Sequence, residues 1–321
     1  MRNPIGLGVT LLLALLAGFA TFAQVANTTS GFVTAPDGVK IHYLTSAPPK
    51  WTVPTSSAPP HTNTRVSLLF IPGWTMPAWI WEHQLTSFSK SCRVVAIDPR
   101  GQGDSDKPND GYDPATRARD IKAVVDELKL APVVLVGWSM GVQEVVAYIN
   151  QFGTDDLAAA VLVDGIAGGP YDPEVSPRML QWAASFARNR RAATEAFVHS
   201  MYRQPQSEAY LQRVTEAALA TPTDSALMLF VSAFTNDLRP ALAKFDRPTL
   251  IVVAWTEGNP FNALYEELHQ KIPDSRFEKL HGAGHALFVE DAPRFNALLT
   301  DFFATTAAFE GQSACRSAPL P

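Results

Sequence analysis

Continuous apolar stretches alternate with stretches of helical periodicity over most of the chain. In one of the latter, Ile121, Val124, Val125 and Leu128 follow the i, i+3, i+4, i+7 spacing of an amphipathic helix. The apolar stretches have strand length, which is typical of parallel strands buried on both faces. The alternation predicts an α/β fold, a doubly wound and mostly parallel sheet with helices on both sides. The predicted strands are Val66 to Ile71, Val94 to Ile97, Val133 to Val136, Ala160 to Val163, Leu250 to Val253 and Phe277 to Leu280.

Three segments depart from this alternation. Residues 31–44 alternate in polarity around Asp37-Gly38, which predicts a β-hairpin at an edge of the sheet. Residues 46–64 are rich in Pro, Ser and Thr and predict a long surface loop. Residues 165–244 contain no convincing strand and predict a helical cap above the carboxyl ends of the strands, where open α/β folds bind ligands. The core would then comprise residues 31–164 and 245–309, followed by a tail from 310 to 321.

The N-terminal residues predict export. An apolar stretch from Ile5 to Ala20 follows Arg2 and ends in Thr21-Phe22-Ala23. This is the pattern of a secretory signal peptide, residues 1–23, cleaved after Ala23. The alternative is an uncleaved membrane anchor, because about 19 mostly apolar residues nearly span a bilayer. The favoured location is periplasmic or secreted, with no stable membrane association after cleavage.

Composition narrows the range of partners and cofactors. The 321-residue chain is 46% hydrophobic and carries a net charge of −5, which does not favour nucleic acid as a partner. Its two cysteines, Cys92 and Cys315, cannot assemble a metal cluster, and we expect no metal and no other cofactor. In an exported protein such a pair can form a disulfide. Because Cys92 precedes a strand and Cys315 follows the last helix, both are expected at the end of the sheet opposite the active site.

The sequence Gly137-Trp138-Ser139-Met140-Gly141 joins a predicted strand to a predicted helix. A G-x-S-x-G sequence in this position is the nucleophile-elbow pattern. Its glycines permit a very tight turn that leaves the serine oxygen exposed at the carboxyl end of the strand. We therefore predict that Ser139 is a nucleophile.

A serine nucleophile needs a base, and the base needs a carboxylate that orients it. Of the seven histidines, His285 lies in a glycine-rich loop between the last strand and the last helix, where the order nucleophile, acid, histidine places the base. The acid should follow the strand that starts at Thr249, and Glu257 is the only acid in that loop. Asp164, at the end of the preceding strand, is the alternative acid. The sequence favours Glu257.

The oxyanion of the tetrahedral intermediate requires backbone N–H donors. We expect one from Met140, directly after the nucleophile, and one from Trp74, in the loop after an early strand. Apolar residues of the predicted cap are candidates for a substrate pocket, although amphipathic helices bury such residues in any case. They are Trp182, Phe186, Phe197, Met201, Met228, Phe230 and Phe234.

Four motifs follow one another along the chain: Pro72-Gly73-Trp74 with Trp81-Glu82-His83-Gln84, Asp98 to Ser105, Gly137 to Gly141, and Gly282 to His285. In this order they resemble the α/β-hydrolase superfamily and, within it, the arylesterase and cofactor-free haloperoxidase (perhydrolase) group. The resemblance covers about residues 31–309 and implies that Ser139 is the nucleophile, His285 the base, and Trp74 and Met140 the oxyanion donors.

The chain departs from the family at three places. The family usually has His-Gly before the oxyanion residue, a second glycine after the elbow and an aspartate acid. This chain instead has Pro72-Gly73, Val142 and, by ungapped counting from Thr249, Glu257.

These features predict an exported serine hydrolase that cleaves small-molecule carboxylic esters through an acyl-enzyme. The serine argues against haloalkane dehalogenases and epoxide hydrolases, which resemble this chain but use aspartate as the nucleophile. Related folds use the same triad to hydrolyse carbon–carbon bonds or to cleave cyanohydrins as hydroxynitrile lyases do, and both activities remain alternatives. A ligand-sensing protein with little turnover is an alternative of another class.

Overall fold

The structure is a computed structural model that describes residues 28–48, 66–169, 176–306 and 315–320. The predicted signal peptide and residues 49–64 of the predicted surface loop lie outside the described residues. Within them, no single helix has the length and apolarity needed to cross a membrane. Only a consecutive helix pair, Glu208–Leu219 and Thr223–Thr235 with an 89° bend between them, meets that criterion by length and composition.

Eight strands of the described chain form one sheet in the order β1-β2-β4-β3-β5-β6-β7-β8. The hairpin β1–β2 forms the edge, and β2 pairs antiparallel with β4. All further pairs are parallel. The predicted hairpin and parallel sheet are therefore confirmed. The strands are β1 (Thr29–Thr34), β2 (Lys40–Ser46), β3 (Ser67–Ile71), β4 (Arg93–Ile97), β5 (Val133–Trp138), β6 (Leu157–Val163), β7 (Thr249–Trp255) and β8 (Arg276–His281).

Ten α-helices connect or follow these strands within the described residues. They are α1 (Glu82–Phe88), α2 (Pro114–Glu127), α3 (Met140–Phe152), α4 (Ser176–Arg188), α5 (Arg190–Ser200), α6 (Glu208–Leu219), α7 (Thr223–Thr235), α8 (Asn262–Lys271), α9 (Leu287–Glu290) and α10 (Ala292–Thr305). Short 3₁₀ helices span Ala78–Trp81 and Arg239–Lys244. Local sequence explains where some of them begin. At α2, for example, the Asp113 carboxylate accepts the Thr116 N–H at 2.9 Å and a proline follows at the first helical position.

Both faces of the sheet are buried because successive side chains of β3 point to opposite sides. Leu68 and Phe70 belong to one apolar cluster, together with residues of α1 and α10. Leu69 and Ile71 belong to another, together with residues of α2 and α3. Two helical layers thus cover the sheet, which explains why the strand sequences are continuously apolar.

Helices α4 to α7 lie between β6 and β7, in the segment where the sequence predicts a cap. We refer to α4–α7 as the inserted helices. They pack partly against one another, α5 against α6 and α4 against α7. Their apolar residues also reach the core, since Val198 and Val214 belong to the same cluster as Phe70.

A disulfide joins Cys92 to Cys315, with 5.4 Å between their Cα atoms. Cys92 directly precedes β4, and the Cys315 sulfur lies 4.0 Å from the carbonyl oxygen of Val66, which directly precedes β3. The bridge therefore lies at the amino ends of the parallel strands. The sequence left the pairing open, and the structure shows it; the expected place of both cysteines, at the end of the sheet opposite Ser139, is confirmed.

Candidate active site

Ser139 occupies a sharp turn between β5 and α3, with φ of 56° and ψ of −117°. The glycines on either side are required by close approach of the backbone. A Cβ atom at Gly137 would collide with the Gly141 carbonyl oxygen, and a Cβ at Gly141 would lie 2.6 Å from the Ile71 carbonyl oxygen. The strained turn exposes the serine hydroxyl at the carboxyl end of β5, as the elbow pattern predicts.

His285 lies beside Ser139, on the loop between β8 and α9. Its Nε2 atom is 2.9 Å from the Ser139 Oγ atom. Several contacts hold this loop: the Trp138 indole N–H donates to the His285 carbonyl oxygen at 2.9 Å, the Gly284 N–H donates to the Glu290 carboxylate, and the Ala286 N–H donates to the Met201 carbonyl oxygen at 3.0 Å. The structure thus brings the predicted nucleophile and base within hydrogen-bond distance across 146 positions of sequence.

The carboxylate beside His285 belongs to Asp164, not to Glu257. The Nδ1 atom of His285 lies 2.6 Å from the Asp164 Oδ2 atom, and the other oxygen, Oδ1, accepts the Ala254 N–H at 2.8 Å. Asp164 follows β6 directly and is 4% exposed. The sequence-based preference for Glu257 is therefore wrong, and the alternative acid takes the position.

The reason lies in where β7 ends. This strand continues through Trp255, so Glu257 is the second residue beyond it, on an exposed turn. There its Oε1 atom accepts a hydrogen bond from the Trp255 indole N–H at 2.9 Å. Asp164 reaches the histidine because β6 and β7 are adjacent and both end at this edge of the sheet. Counting residues from Thr249 locates the loop after β7, but it does not show that the end of the adjacent strand β6 supplies the carboxylate beside His285.

Tyr265, on α8, completes the surroundings of Asp164 and was missed by sequence reasoning. Its hydroxyl interacts with the Asp164 carboxylate, and both residues line the cavity that contains Ser139. Burial, and then the negative charge of Asp164, raise the pKa of Tyr265, which keeps the hydroxyl protonated. The only sequence signal at Tyr265 is the helical spacing of an apolar face, which does not separate a tyrosine beside a buried carboxylate from a core residue.

The loop that carries Trp74, residues 72–76, is called the oxyanion loop after its predicted role, and it packs directly against Ser139. A Cβ atom at Gly73 would lie 2.9 Å from the Ser139 Cβ atom and 3.4 Å from its Oγ atom. The Trp74 indole N–H donates to the Ala226 carbonyl oxygen of α7 at 2.8 Å, which directs the side chain toward the inserted helices. Trp74 and Met140, the two predicted donors, both line the cavity that contains Ser139.

That cavity has a volume of about 600 Å³ and lies between the carboxyl ends of the strands and the inserted helices. Its walls contain both aromatic and polar side chains. Of the predicted pocket residues, Phe197, Phe230 and Phe234 line it. Polar groups of the wall include Gln143, Thr256, Asn259 and Arg203.

The other predicted pocket residues do not line the cavity. Phe186 is buried against Trp74, with 5.1 Å between ring centroids. Trp182 stacks on Phe186 from outside and is 38% exposed. Met201 is buried in the core, and Met228 is exposed on α7. Helix packing, the alternative interpretation of these residues, accounts for Phe186 and Met201.

One cluster among the described residues has the geometry to hold a metal ion, namely His42, Asp98 and Asp104. Its central carboxylate already has protein partners. The His42 Nδ1 atom lies 2.7 Å from Asp98 Oδ2, which also accepts the Asp104 N–H at 3.0 Å, while Oδ1 accepts the Ala78 N–H at 2.5 Å. These contacts anchor the turn after β4 to β2, a structural function.

Known proteins resemble the chain over most of its length. Residues 68–298 match the family model described as the alpha/beta hydrolase family. The chain is 28% identical over 253 residues to the non-heme chloroperoxidase CPO-A1 of Kitasatospora aureofaciens, covering 73% of this chain and 91% of that protein. It is 36% identical over 137 residues to the bifunctional esterase/perhydrolase DCH of Acinetobacter calcoaceticus, covering 42% of this chain and 45% of that protein.

A solved structure agrees in fold. An esterase from Exiguobacterium antarcticum superposes with a TM-score of 0.76 at 22% identity, covering 85% of this chain and 99% of that one. At this level of identity the likeness concerns the fold alone. Together, these similarities confirm the predicted resemblance to the esterase and haloperoxidase group.

Proposed function

The chain belongs to the alpha/beta hydrolase family, and from this premise we propose that it is a serine hydrolase that cleaves carboxylic esters of small molecules through an acyl-enzyme. One observation carries the proposal. An unbroken line of contacts runs from Asp164 through His285 to Ser139, with separations of 2.6 and 2.9 Å, and the serine opens into a cavity.

Each contact has a chemical consequence in the proposed reaction. Ser139 Oγ attacks the ester carbonyl carbon while His285 Nε2 takes the hydroxyl proton, and Asp164 stabilises the resulting imidazolium. The amides of Trp74 and Met140 hold the oxyanion. His285 then returns the proton to the departing alkoxide, which leaves as an alcohol. Water, activated by the same histidine, attacks the acyl-enzyme and releases the acid.

Two further observations support an ester as the substrate. The relative from Acinetobacter calcoaceticus bears the name bifunctional esterase/perhydrolase. In addition, aromatic rings of Trp74, Phe197 and Phe230 form part of the cavity wall, and its volume of about 600 Å³ suits small to medium apolar esters. Ester hydrolysis also requires no cofactor, since the serine, the histidine and water supply the whole reaction.

We also propose that the protein is exported. The apolar stretch Ile5 to Ala20, followed by Thr21-Phe22-Ala23, supports cleavage after Ala23. The Cys92–Cys315 disulfide is of the kind that persists in oxidising compartments. N-terminal sequencing of the protein from a fractionated host should give Gln24 as the first residue in the periplasm or medium. An intact Met1 in the membrane fraction would favour the uncleaved anchor instead.

Turnover of short p-nitrophenyl esters tests the proposed activity. Wild type should hydrolyse them, whereas Ser139→Ala should retain the fold and lose the activity. Labelling with a serine-reactive phosphonate, read by peptide mass spectrometry, distinguishes the alternatives. An adduct on Ser139 without ester turnover would favour a carbon–carbon hydrolase, a hydroxynitrile lyase or a ligand sensor, and absence of any adduct would exclude a nucleophilic Ser139.

A further inference from the structure

Gln102, Arg117 and Glu144 form a buried polar chain behind the oxyanion loop. Their exposed fractions are 0%, 2% and 1%, respectively. Gln102 lies in the turn after β4, Arg117 on α2 and Glu144 on α3. None of the three lines the cavity that contains Ser139, so none can contact a substrate bound there.

Gln102 connects this chain to the oxyanion loop. Its side-chain Nε2 atom donates to the Gly73 carbonyl oxygen at 3.0 Å and to the Met76 carbonyl oxygen at 2.8 Å. These two carbonyls flank the segment that presents the Trp74 amide. Gln102 therefore ties both ends of the donor segment to one side chain.

Arg117 orients Gln102 and reaches the second donor residue. Its Nη2 atom donates to Gln102 Oε1 at 3.1 Å, which leaves the glutamine Nε2 atom directed at the loop. Its Nη1 atom donates to the Met140 sulfur at 3.3 Å. One guanidinium thus links the supports of both predicted oxyanion donors, Trp74 and Met140.

Glu144 is the acidic neighbour of Arg117. The Arg117 Nη2 and Glu144 Oε1 atoms are 3.0 Å apart. The nearby Asp120 is bound elsewhere, because it accepts two hydrogen bonds from Arg100, both at 2.6 Å. Glu144 is therefore the carboxylate in direct ionic contact with Arg117 among the described residues.

Stability alone does not explain a buried group of charged and polar side chains at this place. Buried ion pairs are often no more stabilising than apolar side chains of similar volume, because both charges lose their hydration. Their value lies in fixed geometry, and here the fixed groups are the main chain at Gly73 and Met76 and the side chain of Met140. Oxyanion stabilisation depends on such preorganised placement of the donors.

We propose that Gln102 and Arg117, held by Glu144, are positioning residues that set the Trp74 and Met140 amides for the oxyanion. The proposal rests on the proposed esterase function. It predicts an effect on catalysis without an effect on substrate binding. Removal of the buried polar side chains displaces the amides that hold the oxyanion of the tetrahedral intermediate, while the cavity walls that bind the substrate stay in place.

The first test compares Gln102→Leu with a matched control at another buried glutamine. Gln84 on α1 is also 0% exposed and donates to the Phe288 carbonyl oxygen at 2.9 Å and to Asn296 Oδ1 at 3.0 Å. Gln84→Leu therefore removes the same chemical group from the core without contact with the oxyanion loop. Both variants are assayed with p-nitrophenyl acetate, and melting temperatures are recorded.

A second readout isolates the oxyanion from general damage to the fold. A trifluoromethyl ketone adds reversibly to a catalytic serine and places an oxyanion in the same donors, so its inhibition constant reports on them. For Gln102→Leu we expect kcat to fall about 10- to 100-fold, KM to stay within about threefold, and the inhibition constant to rise in parallel with the loss of kcat. For Gln84→Leu, kcat per folded molecule and the inhibition constant should both stay near the wild-type values.

The double variant Arg117→Met with Glu144→Met provides the test if Gln102→Leu does not fold. It removes the ion pair without leaving an unpaired buried charge, a change that proteins commonly tolerate. We expect a melting temperature near that of wild type, with kcat reduced about tenfold or more and the ketone weakened equally.

Three results would overturn the inference: a Gln102→Leu variant that behaves like Gln84→Leu, a loss of kcat without weaker ketone binding, or a folded double variant with wild-type kcat. Each would leave the esterase proposal standing, because wild-type turnover is measured first and independently. If wild type neither turns over esters nor binds the ketone, the proposed function itself fails and the inference fails with it.

Discussion

The Nδ1 atom of His285 lies 2.6 Å from the Oδ2 atom of Asp164, although the two residues are 121 positions apart in sequence. The contact arises because β6 ends at Val163 and places the next residue at the edge where the β8–α9 loop begins. A second hydrogen bond, from the Ala254 N–H at 2.8 Å, fixes the carboxylate from the neighbouring strand. This relationship identifies the acid of the proposed triad and leads to the first prediction.

Asp164→Asn should be far more damaging than Glu257→Gln. The asparagine can present its N–H₂ group to Nδ1 and so favour the wrong histidine tautomer, a change that can cost about 10⁴-fold in kcat. Glu257 lies on an exposed turn, where it accepts a hydrogen bond from the Trp255 indole, so its variant should stay within about threefold of wild type. Steady-state kinetics with one p-nitrophenyl ester checks both. Equal losses, or the reverse order, would contradict the assignment of Asp164.

Tyr265→Phe should reduce kcat while leaving the fold intact. The phenylalanine removes the hydroxyl that interacts with the Asp164 carboxylate but fills the same volume in α8. Loss of a polar interaction with a charged group costs roughly 1.5 to 3 kcal/mol, so we expect a decrease of about tenfold or more. We expect the variant to keep the melting temperature of wild type and to show a lower kcat. If kcat is unchanged, Tyr265 has no part in orienting the carboxylate.

Glu144 should make the stability of the wild-type protein decrease as pH rises. Burial raises the pKa of Glu144 from 4.5 to about 7, with Arg117 opposing the shift and Asp120 adding to it. Between these two values only the folded state retains the proton, so unfolding releases it and the free energy of unfolding falls with increasing pH. Above the folded pKa the dependence levels off.

The comparison that isolates this effect is Glu144→Gln, which cannot ionise. One pKa unit corresponds to about 1.4 kcal/mol. As the pH is raised from about 5 to about 8, the free energy of unfolding of wild type should therefore fall by about 1 to 3 kcal/mol more than that of the variant. Urea denaturation at the two pH values measures the difference. A difference that does not change with pH would show that the Glu144 carboxyl does not titrate in this window.

Removal of the Cys92–Cys315 disulfide should affect stability but not catalysis. The bridge closes a loop over a sequence separation of 223 residues, at the end of the sheet opposite Ser139. A Cys92→Ser, Cys315→Ser variant should therefore lose about 2 to 4 kcal/mol of unfolding free energy. Its kcat at room temperature should equal that of wild type. A matching loss of kcat would mean that the two ends of the sheet are coupled.

Much of the fold was predictable because it depends on hydrophobic periodicity, which can be read directly from the amino-acid sequence. Strands buried on both faces must be continuously apolar, and β5 and β7 were found for this reason. Ser139 and His285 were also predictable, since a tight strand-to-helix turn demands glycines and each residue lies in such a local setting.

The acid was harder to predict because it depends on contacts between neighbouring strands. Asp164 and Glu257 both follow strands that end at the same edge, and the sequence does not show that β7 continues to Trp255 or that Asp164 is the carboxylate beside His285. The buried polar side chains behind the oxyanion loop were hard to predict for the same reason, because they too meet through contacts between separate elements. Gln102 and Arg117 meet through packing of α2 against the turn after β4, and no local pattern reports that contact.

The most direct test of the account is to catch the acyl group on Ser139. Wild type is mixed with p-nitrophenyl butyrate, quenched in acid within the first turnovers, digested and analysed by mass spectrometry, with Ser139→Ala as the control. We predict a butyryl group on the peptide that contains Ser139, absent from the control and lost on longer incubation. Ester turnover with an unmodified Ser139, or with the acyl group on another residue, would contradict the proposed mechanism.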